Sequence, residues 1–257
     1  MRLFGLVGYP LSHSFSQRYF TEKFAREGCE GYDYRNFPIT DIGLLRQLLE
    51  QQPDLRGFNV TIPYKEQIIP LMDELDAVAG KTGAVNTVQV VRSGKDICLK
   101  GYNTDVYGFS RSLEEWFQAT GFRFQVSGFK FQVLVLGTGG ASKAVVCALH
   151  GLGADVHLAS RHEGKGIYKT YDRLNADDIA AHPLIVNTTP LGMFPDIDEC
   201  PAIPYQYLTE KHYLYDLVYN PEETLFMRKG REMGASVKNG ECMLHLQADK
   251  AWEIWNN

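Results

Sequence analysis

One stretch constrains the fold of this chain more than any other: FQVLVLGTGGASKAVVCALHGLGADVHLASR, at residues 131–161. Its pattern predicts a buried strand, a glycine-rich turn, a helix and a second strand, an order that builds α/β sheets. Gly137, Gly139 and Gly140 fall where the first strand passes into the helix. A phosphate that approaches the backbone there leaves no room for a Cβ, and the free N–H groups at a helix start favour its charge. The stretch therefore predicts a dinucleotide-binding unit.

Ser142 replaces the third glycine of the dinucleotide fingerprint, so a tight structural turn is the competing interpretation. At the end of the second strand an NAD site places an acid against the ribose 2′-hydroxyl, whereas this chain has SRHEGK at 160–165. Arg161 and Lys165 suit a 2′-phosphate, since a guanidinium pairs with it through two parallel hydrogen bonds. The sequence thus predicts NADP, with a solvated basic loop as the alternative.

The rest of the chain continues the alternation of strand-length apolar runs and helix-like segments. Strands are predicted at 3–8, 32–38, 55–63, 183–189 and 212–218, with a hairpin at 85–103, and helices at 16–28, 40–51, 104–117 and 241–255. We expect Thr40 to cap the helix at 40–51, and a further helix to begin at 64 and to be interrupted by Pro70. Residues 119–130 resemble a linker, and 162–182 are too short and polar for a full crossover helix.

Composition limits the classes of function. The 257 residues allow one large domain or two smaller ones, and the net charge of -5 without basic blocks argues against a nucleic-acid partner. The apolar runs are far shorter than a membrane span, and turn residues follow too early in the N-terminal segment for a secretory signal. The five cysteines are scattered without disulfide or zinc spacing, so we expect no metal site and a reducing cytoplasm.

Polar side chains follow successive strand-like runs in the front half of the chain. In open α/β sheets the loops at the carboxyl ends of strands form the binding crevice. Singly, each of these residues is more often a turn former or a helix cap; together they suit a small, hydroxylated, anionic ligand. They are Ser14 and Ser16 in GYPLSHSFS (8–16), Thr61 and Lys65 in FNVTIPYKE (58–66), Asn86 in GAVNT (83–87) and Asp105 in GYNTD (101–105).

These motifs, with GTGGASKA (137–144), NTTPLGM (187–193), YDLVYNP (215–221) and NGECMLHLQ (239–247), run in order along nearly the whole chain, which resembles the shikimate dehydrogenase family. The resemblance implies reversible, NADPH-dependent reduction of 3-dehydroshikimate to shikimate in aromatic amino-acid biosynthesis. It implies an α/β fold of two domains. An N-terminal substrate domain (1–105 and 241–257) is completed by the returning C-terminal helix, and a Rossmann-like NADP-binding domain (106–240) lies between.

The resemblance also gives each motif residue an expected role. Lys65 matches the catalytic lysine, paired with Asp105, while Ser14 and Ser16 match the positions that hold the substrate carboxylate. The other expected substrate residues are Thr61, Asn86, Tyr219 and Gln247. The expected cofactor residues are Gly137, Thr138, Gly139, Gly140, Ala141, Ser160, Arg161, Lys165, Thr188, Leu217 and Gly240, of which Leu217 and Gly240 match positions that line the nicotinamide.

The chain departs from the family pattern in the segment 162–182, which is shorter than usual, and at three places where the residues differ. Gln17 stands where proline is usual, Ser160-Arg161-His162 where Asn-Arg-Thr is usual, and Cys242 where a glycine is usual. Two other functions stay open: a quinate/shikimate dehydrogenase with broader substrate and cofactor use, and a non-catalytic NADP-binding sensor. A sensor has no need of an acid/base pair, so Lys65 and Asp105 favour an enzyme. We expect a monomer or a homodimer.

Overall fold

The computed structural model describes residues 1–11, 15–94, 96–121 and 131–257. The chain divides into two compact units, one formed by 1–104 with 248–257 and the other by 105–247. Among the described residues, the helices are all too short or too polar to span a lipid bilayer.

The first unit contains a six-stranded mixed sheet. Its elements are β1 (Arg2–Gly8), α1 (Phe15–Arg26), β2 (Tyr32–Pro38), α2 (Leu45–Gln51), β3 (Leu55–Val60), β4 (Glu74–Leu75), α3 (Ala77–Thr82), β5 (Thr87–Ser93) and β6 (Asp96–Tyr102). The strand order is β2-β1-β3-β5-β6-β4, with β1 parallel to both β2 and β3. The carboxyl ends of β1, β2 and β3 therefore share one edge of the sheet. Because β5 is antiparallel to β3, its first residue, Thr87, pairs with Asn59 near that edge.

The second unit contains a six-stranded, all-parallel sheet. Its elements are α4 (Thr104–Thr120), β7 (Gln132–Leu136), α5 (Gly140–Gly151), β8 (Asp155–Ser160), β9 (Ile167–Thr170), α6 (Ala176–Ala181), β10 (Leu184–Asn187), β11 (Tyr213–Asp216), α7 (Leu225–Glu232) and β12 (Ser236–Lys238), together with the first part of α8 (Glu241–Asn256), up to residue 247. The strand order, β12-β11-β10-β7-β8-β9, is the doubly wound order of dinucleotide-binding folds. The central strands are buried on both faces, which explains their continuous apolar sequences.

Two apolar clusters cover the faces of the first sheet. One contains Phe58 and Val88 with residues of α2, and the other contains Phe20 of α1 and Trp255 at the end of α8. A Cβ built on Gly57 would lie 2.3 Å from the Trp255 indole nitrogen, so glycine is required for the ring to lie on the strand. The same indole N–H donates to the Val88 carbonyl at 2.9 Å. The end of α8 is thus part of the first core.

The predicted α/β class, with two domains and a C-terminal helix that returns to the first, is confirmed. The predicted boundaries at 106 and 240 differ from the observed unit, 105–247. The difference arises because the first half of α8 packs in the second core, where Met243 shares a cluster with Phe109 of α4. Only the end of α8 belongs to the first unit.

Two local predictions are wrong. The segment from Tyr64 to Pro70 forms turns and a single 3-10 turn at Ile69–Leu71 rather than a helix. Pro70 has no N–H to donate, so a regular helix cannot continue through it. Asp41, and not Thr40, is the cap: its carboxylate accepts from the Gly43 N–H at 2.6 Å at the start of the 3-10 turn Ile42–Leu44, which leads into α2. The linker predicted at 119–130 lies mostly outside the described residues.

Candidate active site

The candidate substrate site begins where β1 and β3 end side by side. Thr61, the first residue after β3, donates its backbone N–H to the Val7 carbonyl at 3.0 Å. A Cβ built on Gly8 would lie 2.4 Å from the Thr61 methyl carbon, so only glycine lets the two strand ends approach this closely. Thr61 is half-buried against the end of β1.

Lys65 follows in a segment that is anchored on both sides. The Tyr64 N–H donates to the Thr61 carbonyl at 2.9 Å, and the buried Tyr64 ring donates its hydroxyl to the Ile39 carbonyl at 2.8 Å. The Lys65 carbonyl accepts from the Val85 N–H at 2.7 Å. The Lys65 side chain is half-buried. Its backbone is therefore fixed to both neighbouring motifs, unlike that of a lysine on a loose surface loop.

Asn86 connects the sheet to the start of α4. The residue is 2% exposed, its Oδ1 accepts from the Thr104 N–H at 2.7 Å, and its Nδ2 donates to the Thr104 hydroxyl at 3.0 Å. Asn86 thereby supplies an acceptor to the first N–H of α4, which a helix cannot satisfy internally. Asp105 is the next residue of α4 and is 7% exposed. Its side chain lies in the first turn of α4, at the positive end of the helix dipole.

Of the two predicted serines near the end of β1, the structure describes only Ser16. Ser16 lies in the first turn of α1 and is half-buried beside the Tyr34 phenol. Ser14 lies outside the described residues, as does the neighbouring His13.

Gln247 and Tyr219 belong to the second unit. Gln247 is half-buried on α8, where α8 meets α4 at close range. A Cβ built on Gly108 of α4 would lie 2.6 Å from the Met243 carbonyl and 3.0 Å from the Gln247 Cβ, so glycine permits the close crossing. Tyr219 is exposed in the loop that follows β11.

The glycine turn after β7 has the backbone that its sequence predicts. Gly137 has φ 105°, in the region that favours glycine, and its Cβ would lie 2.9 Å from the Thr188 hydroxyl. Gly139 is the N-cap of α5 and provides no side-chain cap, while a Cβ on it would meet nothing within 4 Å. Ser142 is buried and donates its hydroxyl to the Gly139 carbonyl at 2.6 Å. Thr138 and Gly139 are exposed, and Gly140 and Ala141 are half-buried. The Ser142 N–H donates to the Gly139 carbonyl at 3.0 Å, which leaves the N–H groups of Gly140 and Ala141 to face an anion.

The loop after β8 carries the predicted basic residues. Ser160 is half-buried at the strand end, and Arg161 and Lys165 are exposed. The Arg161 guanidinium lies close enough to Tyr171 to oppose the rise in that residue's pKa that burial causes. The loop's own acid, Glu163, forms an ion pair with Arg173. Its charge is thereby partly offset, which favours an anion near Arg161.

A buried carboxylate joins the two loops that follow β10 and β11. Asp216 is 0% exposed, and its Oδ1 accepts from the Asn187 amide at 2.9 Å and from the Val218 N–H at 3.1 Å. Its Oδ2 accepts from the Thr224 hydroxyl at 2.6 Å. Burial raises the pKa of Asp216 to about 6, against the opposing effect of these hydrogen bonds. Asn187 in turn accepts from the Thr189 hydroxyl at 2.7 Å, so one acid organises both loops.

The predicted nicotinamide-side residues are in contact with one another. A Cβ built on Gly240 would lie 2.1 Å from the Leu217 carbonyl oxygen, so no other residue fits there. The Gly240 N–H donates to the Val218 carbonyl at 3.2 Å. Thr188 lies beside the glycine turn, where its hydroxyl donates to the Leu136 carbonyl at 2.7 Å. Cys242 is half-buried, and its thiol lies 3.6 Å from a Glu115 carboxylate oxygen.

Comparison with known proteins places the chain in a family. A model described as the shikimate dehydrogenase substrate binding domain matches residues 6–88. The shikimate dehydrogenase (NADP(+)) of Halothermothrix orenii is 38% identical over 273 aligned residues, which cover 98% of this chain and 89% of the relative. This chain belongs to the shikimate dehydrogenase family.

Solved structures of the family share the fold over almost the whole chain. Shikimate 5-dehydrogenase from Thermus thermophilus, in complex with NADP(H) and shikimate, is 30% identical with a TM-score of 0.82, over 99% of this chain and 93% of that one. Quinate dehydrogenase from Corynebacterium glutamicum, in complex with NAD, is 28% identical with a TM-score of 0.83, at the same coverages. Fold similarity alone therefore does not separate shikimate from quinate as substrate.

Some of the predicted family residues lie on segments that contact one another. In the first unit, Thr61, Lys65 and Asn86 lie on segments that are hydrogen-bonded to one another, since Val60 also donates its N–H to the Asn86 carbonyl at 2.8 Å. In the second unit, Gly137 contacts Thr188.

Sequence reasoning missed the buried polar residues that support these groups. Asn59, Thr87, Tyr34 and Asp216 are each less than a tenth exposed and hydrogen-bonded to another side chain. A polar residue inside an otherwise apolar strand was the available signal, as at Asn59 in FNVTIP and Asp216 in YLYDLV.

Proposed function

We propose that this protein is a shikimate dehydrogenase, which reversibly reduces 3-dehydroshikimate to shikimate with NADPH in aromatic amino-acid biosynthesis. The observation that carries the proposal is the linked set of Thr61, Lys65 and Asn86 within the part of the chain that matches the substrate-binding domain. A lysine, an amide and a hydroxyl held at neighbouring strand ends suit a small polyol acid.

Lys65 is assigned as the acid and base of the reaction. When the ring carbonyl of 3-dehydroshikimate accepts a hydride, its oxygen gains negative charge and takes a proton from the Lys65 ammonium. The neutral amine then recovers a proton from solvent, and shikimate oxidation follows the reverse order. Asp105, at the start of α4, orients the lysine and the substrate. Ser14 and Ser16 are assigned to the carboxylate, and Thr61, Asn86, Tyr219 and Gln247 to the rest of the substrate.

The residues of the second unit fit NADP(H), which supplies the hydride when bound. The start of α5 has no side-chain cap and open space at Gly139, as a pyrophosphate site requires. Gly137, Thr138, Gly140 and Ala141 complete this turn. Ser160, Arg161 and Lys165 are assigned to the 2′-phosphate, and Thr188, Leu217 and Gly240 to the nicotinamide end.

The proposal extends to the cellular compartment and the oligomeric state of the protein. All five cysteines are free thiols, which supports a reducing compartment such as the cytoplasm. The residue assignments are the same for a monomer and for a homodimer.

One assay tests the proposal against its alternatives. Initial rates at 340 nm are measured for shikimate and for quinate, each with NADP⁺ and with NAD⁺. We expect the highest kcat/KM for shikimate with NADP⁺. A comparable kcat/KM for quinate, or a preference for NAD⁺, would instead support the broader quinate/shikimate enzyme, which the similarity to a quinate dehydrogenase keeps in view. NADPH binding without turnover of either substrate would indicate a sensor.

A further inference from the structure

Tyr34 lies in the middle of β2 with its hydroxyl in a polar environment and its ring in an apolar one. The residue is 2% exposed, and its hydroxyl donates to Asn59 Oδ1 at 2.9 Å. Its ring stacks on Phe20 of α1 with centroids 4.6 Å apart. Phe20 stands four residues after Ser16 on the same helix, and the Ser16 hydroxyl interacts with the Tyr34 phenol. Tyr34 therefore contacts both α1 and β3.

From Asn59 the hydrogen bonds continue across the sheet. Asn59 Nδ2 donates to the Thr87 hydroxyl oxygen at 3.1 Å and to the Asn86 carbonyl at 3.3 Å. The Thr87 hydroxyl then donates to Asn86 Oδ1 at 3.2 Å. Asn59 and Thr87 are register partners on β3 and β5, so the path crosses the strand pair directly.

The bonds that Asn59 makes in this path have defined directions. Because the Tyr34 proton goes to Asn59 Oδ1, the Asn59 amide nitrogen must point at Thr87. The Thr87 oxygen accepts from that nitrogen, and its own hydroxyl lies 3.2 Å from Asn86 Oδ1 and 3.3 Å from the Thr104 hydroxyl oxygen. The Asn86 side chain is thus held by Thr104 and also by Thr87, the last member of a path that begins three strands away, on β2.

We propose that Tyr34 is a positioning residue of the substrate site, acting through Asn59 and Thr87 on Asn86 and directly on the first turn of α1. The inference rests on the proposed function, since it takes Asn86 and Ser16 to bind shikimate. Loss of the Tyr34 hydroxyl leaves Asn59 with a buried acceptor that lacks its donor, and the amide is then free to turn.

The test is Tyr34→Phe, which removes one oxygen and keeps the ring on Phe20. We expect KM for shikimate to rise roughly 3- to 10-fold, with kcat and KM for NADP⁺ close to those of the wild-type protein. Tyr32→Phe is the matched control: it removes a hydroxyl from the same strand, where it accepts from Arg2 at 2.9 Å outside the path. Its KM for shikimate should not change. An unchanged KM in Tyr34→Phe, or an equal loss of kcat in both variants, would overturn the proposal.

A second variant, which removes a later hydrogen bond of the path, tests the proposal if Tyr34→Phe does not fold. Thr87→Val leaves Tyr34 and its packing in place and should raise the same KM by a similar factor. In a double-mutant cycle, Tyr34→Phe and Asn86→Ala should be clearly non-additive in KM, whereas additive effects contradict the path. If the wild-type protein does not turn over shikimate with NADP⁺, the proposed function fails; if it does and the variants leave KM unchanged, only this inference fails.

Discussion

Lys65 is the residue on which the proposed proton transfer depends. We expect Lys65→Ala to lower kcat by roughly 10²- to 10⁴-fold with little change in KM for shikimate, since the ammonium acts mainly in the transition state. Steady-state rates at 340 nm provide the measurement. Lys81→Ala, at an exposed position on α3 of the same unit, is the control and should retain wild-type rates. A variant at Lys65 with full kcat would exclude it from the mechanism.

Arg161 is the residue that should distinguish the two dinucleotides. Arg161→Ala is expected to raise KM for NADP⁺ roughly 10- to 100-fold, because a charge-assisted bond to the 2′-phosphate is lost, and to leave KM for NAD⁺ unchanged. The wild-type protein assayed with both cofactors is the reference. A parallel rise in both KM values would mean that Arg161 supports the loop and does not read the phosphate.

The residues of the candidate site were only partly predictable from the sequence. Lys65, Thr61 and Asn86 stand in motifs that follow strands, so their position at a sheet edge could be inferred. Tyr34 and Asn59 could not be assigned, because their bond spans β1 and exists only once the order β2-β1-β3 is known. A side chain's partner across a sheet depends on register, which a single strand sequence does not contain.

At the level of elements, the apolar strands could be predicted from the sequence, whereas some short helices could not. The strand at 32–38 was predicted to the residue, since its apolar and turn residues mark both ends. The helices α3 and α7 were not predicted, and their caps explain why they form: Asp76 and Thr224 accept N–H bonds at their starts. Such helices of six to eight residues depend on a cap and a packed face more than on propensity.

The pair of loops held by Asp216 should make stability depend on pH. Because burial raises the folded-state pKa of Asp216 to about 6, above the unfolded value of 3.8, its protonated form favours the folded state. The stability due to this group is complete below pH 3.8 and is lost as pH rises through 6, a change of roughly 3 kcal/mol at most.

Urea unfolding of the wild-type protein and of Asp216→Asn at several pH values between 4 and 7 tests this expectation. The free energy of unfolding of the wild-type protein, minus that of the variant, should fall across this range. The amide retains the acceptor for Asn187 and Val218 and does not titrate. A difference that stays constant with pH would mean that Asp216 is ionised throughout.

At the scale of the whole molecule, the division of α8 between two cores should be visible in unfolding. Trp255→Ala removes the ring that covers Gly57 and the bond to the Val88 carbonyl, and should destabilise the first unit by roughly 3–5 kcal/mol. Shikimate binding, measured by calorimetry, should weaken in the same variant, while NADPH binding by the second unit should persist. Deletion of the exposed Asn257 is the control. Loss of NADPH binding together with shikimate binding would contradict independent cores.

The placement of Trp255 also fixes an order of events during synthesis. Residues 1–104 leave the ribosome first, yet one apolar face of the sheet they form, partly covered by α1, is completed only when residues 248–257 arrive. The second unit, at 105–247, is complete before that moment. Domains usually fold in the order of translation, whereas here the unit that is encoded first is finished last. The nascent protein therefore passes through an interval in which the part of the face that Trp255 later covers is exposed to water.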